Sequence, residues 1–179
     1  MTSAKTKSVK MTFPALYSYV INTNYRSVSG IMGIIISLAS IAMLIIYWDG
    51  LKPGSKGLLL FVGLIFTVIN PLALAFKTFR QLKLSPSYKK PLEYTFGDEG
   101  VYITQGELSE NLTWDRIYRI LLTKQMLAIY TGRMHAFVIP VGELGDDKGK
   151  IITSVVQFTA AYKPRLSKNL KRYESGKGL

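Results

Sequence analysis

Few residues of this chain have side chains that could do chemistry. His135 is the only histidine, and cysteine is absent, which excludes disulfides, thiolate catalysis and cysteine-ligated metals. A lone histidine beside a predicted turn is far more often a surface or core residue than a general base. The adjacent acids at 98–99 and 146–147 fit turns and helix starts better than metal ligation, and no HExxH, GxSxG, GxGxxG or Walker-type motif occurs. We therefore predict that the protein is not an enzyme, with no catalytic residue, no metal site and no cofactor.

The chain is organised instead around two apolar segments, residues 29–48 and 57–76. Neither contains a charged side chain, and each is long enough to cross the roughly 30 Å of hydrocarbon in a bilayer as a helix. The polar connector between them is too short to be a domain. We predict an antiparallel transmembrane hairpin over residues 29–76, followed by the rest of the chain on one side of the membrane.

The charges around the hairpin predict its orientation. Residues 1–28 carry a net charge of +4, the connector +1, residues 77–91 +5, residues 92–162 −3 and residues 163–179 +5. Both outer flanks are therefore basic and the connector is nearly neutral. By the positive-inside rule, we predict a multi-pass protein of the cell (cytoplasmic) membrane with both termini in the cytoplasm.

The two outer basic segments, a stem at 77–91 and a tail at 163–179, are candidates for contact with anionic lipid. Each cation beside such a surface contributes about 1 kcal/mol. Topology signalling alone, with a solvated tail, would use the same residues. The candidate residues are Lys77, Arg80, Lys83, Lys89, Lys90, Lys163, Arg165, Lys168, Lys171 and Arg172.

Asn70 and Pro71 form the one sharp feature inside a span. Proline removes a backbone donor and clashes with the preceding turn, so we predict that the second helix kinks or loosens there. The feature is either a hinge or part of a polar pathway, or else a tolerated kink in which Asn70 bonds the other helix or the freed carbonyls. We favour the tolerated kink, because neither span contains an ionisable residue.

Small residues at four-residue spacing give each span a face for close helix packing. Ser29, Gly33 and Ser37 share one face of the first span, and Gly63 and Thr67 share a face of the second. We predict that these faces form the interface of the hairpin. A homodimer interface is the alternative use, so a homo-oligomer stays open.

The arm before the hairpin, residues 1–28, divides into two parts. Residues 1–11 are polar and basic and are predicted to be disordered. A helical stripe follows, which is either buried in the membrane interface or packed on the C-terminal domain. Its members are Phe13, Leu16, Tyr17, Val20, Ile21 and Asn24.

Residues 92–162 have the pattern of short strands and turns. Strands are predicted at 92–96, 101–104, 107–113, 118–123, 126–131 and 135–140, followed by an amphipathic helix at 147–162 whose apolar face contains Ile151, Val155, Phe158 and Tyr162. An antiparallel meander closed by one C-terminal helix is typical of a pleckstrin-homology (PH)-like domain. The predicted fold class is therefore a membrane α-helical hairpin plus an α+β, PH-like domain.

Three aromatic residues in this block could be read as platforms for nucleic-acid bases. They are Trp114, Tyr118 and Tyr130. The net charge of −3 opposes phosphate binding, so we predict that they are core residues and that nucleic acid is not a partner.

Several short motifs resemble the YcxB-like family of small bacterial membrane proteins. They are Tyr94-Thr95-Phe96, Asp98-Glu99-Gly100-Val101, Leu112-Thr113-Trp114-Asp115-Arg116-Ile117, Ala128-Ile129-Tyr130 and Phe137-Val138-Ile139-Pro140. The family usually has a basic residue and an aromatic soon after that last motif, whereas this chain has Val141-Gly142-Glu143-Leu144. The resemblance implies two spans and a C-terminal PH-like domain, and it implies no activity.

Together these features predict a membrane-anchored PH-like interaction module that binds a protein segment or anionic lipid in a regulatory role. The alternative is a small channel, transporter or pore-forming protein built from self-associated hairpins. In that case Asn70 and Pro71 would matter directly. The sequence does not identify the ligand or the protein partner.

Overall fold

The computed structural model of the protein describes residues 5–162 and 164–174. The chain divides into two compact units. The first, which we call the sheet domain, comprises the residues up to Tyr19 together with those from Gln81 onward. The second, which we call the hairpin unit, is Val20–Arg80. The sheet domain is therefore built from two separate parts of the chain.

The sheet domain contains two four-stranded sheets. The first has the order β1-β2-β3-β4, all antiparallel, and the second has the order β7-β6-β5-β8, in which only β8 is parallel to its neighbour. The strands are β1 (Lys5–Val9), β2 (Leu92–Phe96), β3 (Gly100–Gln105), β4 (Leu108–Thr113), β5 (Arg119–Leu122), β6 (Met126–Tyr130), β7 (Ala136–Pro140) and β8 (Arg165–Leu166).

The inner faces of both sheets contribute to one hydrophobic core. Tyr94 and Phe96 of β2 face this core with Val101 of β3 and Ile120 of β5, as expected from the two-residue period of a strand. Helix α5 (Lys148–Thr159) adds a row of buried apolar residues: Ile151, Ile152, Val155 and Val156. The short helix α6 (Lys168–Glu174) adds Leu170.

Trp114, at the end of β4, lies in the centre of this core. Its side chain is fully buried, its indole Nε1 donates to the carbonyl oxygen of Gly97 at 3.0 Å, and its ring stacks on Phe158 of α5 at 5.7 Å. The core position predicted for Trp114 and Tyr130 is confirmed. It is wrong for Tyr118, whose side chain is 39% exposed, because β5 begins only at the next residue.

All five residues of β6 are buried, because both faces of the second sheet are covered. Leu127 and Ile129 face the inner core. The outer face packs against the start of helix α1 (Phe13–Tyr25) through Ala15 and Tyr19. The predicted apolar stripe of this helix is therefore partly wrong, since Ala15 is one of the residues that make the contact.

The hairpin unit contains helix α2 (Val28–Ile46) and most of a second long helix, which runs from Pro53 to Leu84. The second helix consists of α3 (Pro53–Leu64), a π-helix (Ile65–Ile69) and α4 (Asn70–Leu84). Both long helices are long and apolar enough to cross a membrane, and only 28% and 6% of their most apolar windows are buried. Such exposure is unlike the core helices of a water-soluble fold.

The interface between α2 and α3 differs from the predicted one at two positions. Gly33, Ser37 and Gly63 are buried there, but Ser29 and Thr67 are exposed. A methyl group added to Gly63 would meet Ile41 of α2 at 2.6 Å, and one added to Gly33 would overlap the ring of Phe66. The α2 side of the interface continues instead through Ser40 and Leu44.

Two further predictions from the sequence are wrong. Residues 1–11 are not a disordered arm throughout, because Lys5–Val9 form β1 and pair with β2 over all five residues. The alternative of a simply solvated tail does not describe residues 165–174, because Arg165–Leu166 form β8 and α6 follows. Tyr162 is 52% exposed in a 3-10 turn after α5 rather than on the buried face.

Candidate functional site

The second long helix changes its hydrogen bonding immediately before Pro71. Ile65–Ile69 form the π-helix, and the N–H of Asn70 donates to the carbonyl of Ile65, five residues back. The proline ring opposes a regular α-helical turn on its N-terminal side, and π-turns of this kind are common at functional sites. The structure therefore has a π-helix where the sequence predicts a kink or loosening.

Ser37 of α2 bonds two backbone groups of the helix opposite. Its hydroxyl donates to the carbonyl oxygen of Val62 at 2.9 Å and accepts from the N–H of Phe66 at 3.4 Å. In an α-helix these two backbone groups would bond each other. The hydroxyl stands between them and supplies a partner for each, which stabilises the open turn.

A second set of polar contacts comes from the end of α1, within the hairpin unit. The Tyr25 hydroxyl donates to the carbonyl oxygen of Phe66 at 2.6 Å. The amide nitrogen of Asn70 donates to the side-chain oxygen of Asn24 at 3.1 Å and to the Tyr25 hydroxyl at 3.4 Å. We call Asn24, Tyr25, Ser37 and Asn70 the polar cluster.

These contacts indicate what the polar cluster does chemically. The hydrogen bonds described above join its members to one another or to the carbonyl and N–H groups that the π-helix frees, and apart from the tyrosine hydroxyl none of its side chains is titratable. This favours the tolerated kink over a polar pathway. Asn70 bonds α1 rather than the other span, and sequence reasoning missed that partner because it lies 46 residues away.

The stem bases are exposed and lie in two groups. Lys77 and Arg80 belong to the hairpin unit, on α4. Lys83, Lys89 and Lys90 belong to the sheet domain, the first on α4 and the others after the 3-10 turn Pro86–Tyr88. Their side chains are solvent-accessible, as lipid contact requires.

The tail bases lie at two places along β5. Arg165 pairs with Arg119 at the start of β5, and its guanidinium donates to the Tyr118 hydroxyl at 3.2 Å. Lys168 and Lys171 are exposed on α6, which is bonded to the end of β5 through Asn169. Lys163 lies outside the described residues, and the side chain of Arg172 is likewise not described.

Sequence reasoning missed a groove of about 500 Å³ at one end of the two sheets. The opposite end of β2, β3 and β4 is covered by α5, where Phe158 stacks on Trp114. The groove is lined by apolar and polar residues of β2, β3, β4 and β7, which are distant in sequence. These residues are Leu92, Ile103, Gln105, Leu108, Ser109, Glu110 and Phe137. No motif marks such a site, because its residues converge only when β7 lies beneath β3 and β4.

The rim of the groove is fixed by Gln105, the last residue of β3. Its side-chain nitrogen donates to the carbonyl oxygens of Ser87 at 2.7 Å and Lys90 at 3.0 Å, which holds the 87–90 segment beside the β3–β4 turn. Nearby, burial raises the pKa of Tyr88, and the hydrogen bond from Gln81 opposes that rise. Glu110 lines the groove, and the amino group of Lys90 lies by Gly106 in the β3–β4 turn.

His135 is exposed in the turn before β7. Over residues 5–162 and 164–174, no group of three or more histidine and acidic side chains could hold a metal ion. The groove, with its open strand edge, is the one site in the sheet domain that we develop below.

The relationship of this chain to known proteins rests on the middle of the sheet domain. No curated protein and no solved structure matches the chain. The family of YcxB-like proteins matches over residues 96–151, from the end of β2 to the first turns of α5. Over that segment the match confirms the YcxB-like resemblance that the sequence motifs predicted.

Proposed function

We propose that this protein is a membrane-anchored interaction module with a regulatory role. The two long helices cross the cell membrane as an antiparallel hairpin, and the sheet domain lies in the cytoplasm and binds a protein segment. The observation that carries the proposal is the groove, because it is a largely apolar opening beside a strand edge of the sheet domain.

The sheet domain is PH-like in this proposal. The assignment is supported by a sheet of β1 to β4, a second sheet that contains β5 to β7, and helix α5, which follows the last of these strands after the 3-10 segment Val141–Asp147. The hairpin is then an insertion between the first and second strands of the fold. This differs from the arrangement that the sequence predicts, in which the domain follows the hairpin.

The pairing of β1 with β2 supports an even number of membrane crossings. Val9 and Leu92 are register partners, so the chain between them leaves the sheet and returns to a point about 5 Å away. Two spans satisfy this condition and a single span does not. The charges of +4 and +5 on the flanks and +1 on the connector support a cytoplasmic location for the sheet domain.

Anionic lipid is the second partner in this proposal, as an orienting surface rather than as the ligand of the groove. The described stem and tail bases are exposed and can contact headgroups within a Debye length of roughly 8 Å. The polar cluster does not support the channel or transporter alternative, since its hydrogen bonds described above join its members to one another and to the π-helix.

The proposal is tested in cells with single cysteines, since the chain has none of its own. Gly54→Cys, in the connector end of α3, should be labelled from outside. Lys124→Cys, in the β5–β6 turn, should be labelled only after permeabilisation. Photo-crosslinking side chains on the sheet domain should capture a protein in the membrane fraction. Outside labelling of Lys124→Cys, or the absence of adducts from every sheet-domain position tested, would overturn the proposal.

A further inference from the structure

The groove follows the edge of β4 rather than only one face of the sheet. Leu108, Ser109 and Glu110 are consecutive, and all three line it. Consecutive residues of a strand point to opposite faces, so a groove lined by three in a row must include the strand's backbone edge. β4 is also the last strand of its sheet.

The register of the β3–β4 hairpin shows which backbone groups face that edge. Gln105 and Leu108 pair across the two-residue turn at 106–107, where Gly106 has φ +65°. The pair that flanks such a turn is hydrogen-bonded, and bonded and non-bonded pairs then alternate. Ser109 and Asn111 therefore direct their N–H and C=O groups away from β3. Within residues 5–162 and 164–174, no strand pairs with this edge.

The side chains beside the edge combine apolar surface with a negative charge. Leu112 is buried in the core, so Leu108 and Glu110, which are four and two residues earlier, face the same side of the sheet. Leu108 is 75% exposed, and Glu110 is an exposed acid on the inward-facing side, beside Ile103. Lys90 lies at the turn, beyond the end of the strand.

We propose that an extended peptide segment of a partner protein adds to the edge of β4 as a fifth strand. Its backbone bonds Ser109 and Asn111, its apolar side chains enter the groove, and a basic side chain two residues from an apolar one pairs with Glu110. This mode of binding takes affinity from main-chain hydrogen bonds and specificity from alternate side chains. The inference rests on the proposed function and names the ligand class of the same site.

Charge complementarity is what selects this occupant. A lipid phosphate in the groove would lie near Glu110, and two negative charges repel each other. Glu110 could also have a third role, because an inward-pointing charge on an edge strand can prevent edge-to-edge aggregation. The experiment below distinguishes pairing with a basic peptide side chain, repulsion of lipid phosphate and prevention of aggregation.

The test uses the full chain in phosphatidylcholine nanodiscs, with empty nanodiscs as the background. The probe is a fluorescent heptapeptide that has leucine at positions 2 and 6, lysine at position 4 and threonine at the other four positions. One matched peptide has glutamate in place of the lysine, and another is N-methylated along one edge. Glu110→Lys is compared with Glu93→Lys, which makes the same charge change on an exposed residue of the outer face of β2.

The lysine peptide should bind saturably. The N-methylated peptide should bind with about ten-fold lower affinity, since it loses two main-chain hydrogen bonds to the edge of β4. Glu110→Lys should weaken binding of the lysine peptide about five-fold, through loss of a surface ion pair and a new repulsion, and should favour the glutamate peptide. Glu93→Lys should leave the affinity unchanged.

Three results would overturn the proposal. If the N-methylated peptide binds as tightly as the unmodified lysine peptide, strand addition is excluded. If Glu110→Lys and Glu93→Lys change the affinity equally, Glu110 contributes only through the net charge of the domain and does not pair with the peptide. The lipid arm repeats the test in nanodiscs that also contain phosphatidylglycerol. If no peptide binds and the chain retains phosphatidylglycerol in a way that Leu108→Asp abolishes, the groove is assigned to lipid. If these peptides fail while sheet-domain crosslinks still form in cells, only this inference falls. If the crosslinks also fail, the proposed function falls with it.

Discussion

The burial of Trp114 leads to a quantitative prediction about the stability of the sheet domain. Trp114→Ala removes an indole that is fully buried and stacked on Phe158. Large-to-small changes of this kind cost about 3–5 kcal/mol. The change also removes the donor to the Gly97 carbonyl, for about 1 kcal/mol more. The expected loss of roughly 4–6 kcal/mol is a large part of the 5–15 kcal/mol that typically stabilises a domain.

Native-state hydrogen exchange read by mass spectrometry measures this loss without relying on tryptophan fluorescence. Each 1.4 kcal/mol of lost stability speeds exchange about ten-fold when exchange occurs through domain unfolding. Protected amides of β3 to β5 should therefore exchange about a thousand-fold faster in Trp114→Ala. Trp114→Phe keeps an aromatic ring against Phe158 and loses mainly the hydrogen bond, so about ten-fold is expected.

Trp48→Ala is the matched control, because Trp48 is 53% exposed in the hairpin unit. It should leave exchange in β3 to β5 unchanged. A Trp114→Ala effect below three-fold, or one equal to that of Trp48→Ala, would refute the assignment of Trp114 to the core. Either result would also mean that Trp114 is a surface residue that could take part in binding.

Three further predictions follow from other contacts. Gly33→Val should lower the unfolding midpoint of the chain in mixed micelles, because the added atoms overlap the Phe66 ring, whereas Gly57→Val should not, because a Cβ there meets nothing within 4 Å. The fragment 84–166 should show no cooperative unfolding by circular dichroism, because it lacks β1, α6 and the part of α1 that covers the outer face of β6. A control protein in which the two parts of the sheet domain are joined by a flexible linker should unfold cooperatively. Burial and the nearby Tyr88 charge raise the pKa of Tyr94. Above pH 10 the unfolded chain therefore loses the Tyr94 proton more readily than the folded chain, so the free energy of unfolding should fall as the pH rises. Tyr94→Phe should remove this part of the loss in urea titrations at alkaline pH.

The site was much less predictable than the elements. Asn70 and Pro71 are visible in the sequence because proline has a fixed effect on the preceding turn. The partners of that turn are not visible, because Tyr25 and Ser37 come from two other helices and are chosen by packing. The groove is also invisible, since Leu92 and Phe137 approach each other only across two sheets.

Local patterns in the sequence were enough to predict the two apolar helices, the strands β2 to β7 and helix α5. Charge-free runs of about 20 residues and two-residue alternation of apolar side chains are local properties, so each element could be placed without knowing its neighbours. The strand at Ala136–Pro140 and the helix at Lys148–Thr159 fall within the ranges that these periods predict.

The two ends of the sheet domain depend on contacts that form only in the folded chain. The sequence Lys-Thr-Lys-Ser-Val of β1 has one apolar side chain, and its strand conformation comes from backbone bonds to β2, almost ninety residues away. The buried face of α1 likewise depends on the outer face of β6, which a helical period cannot reveal. Backbone pairing and surface complementarity are non-local, and because of them the hairpin is inserted between β1 and β2 in chain order rather than preceding the domain.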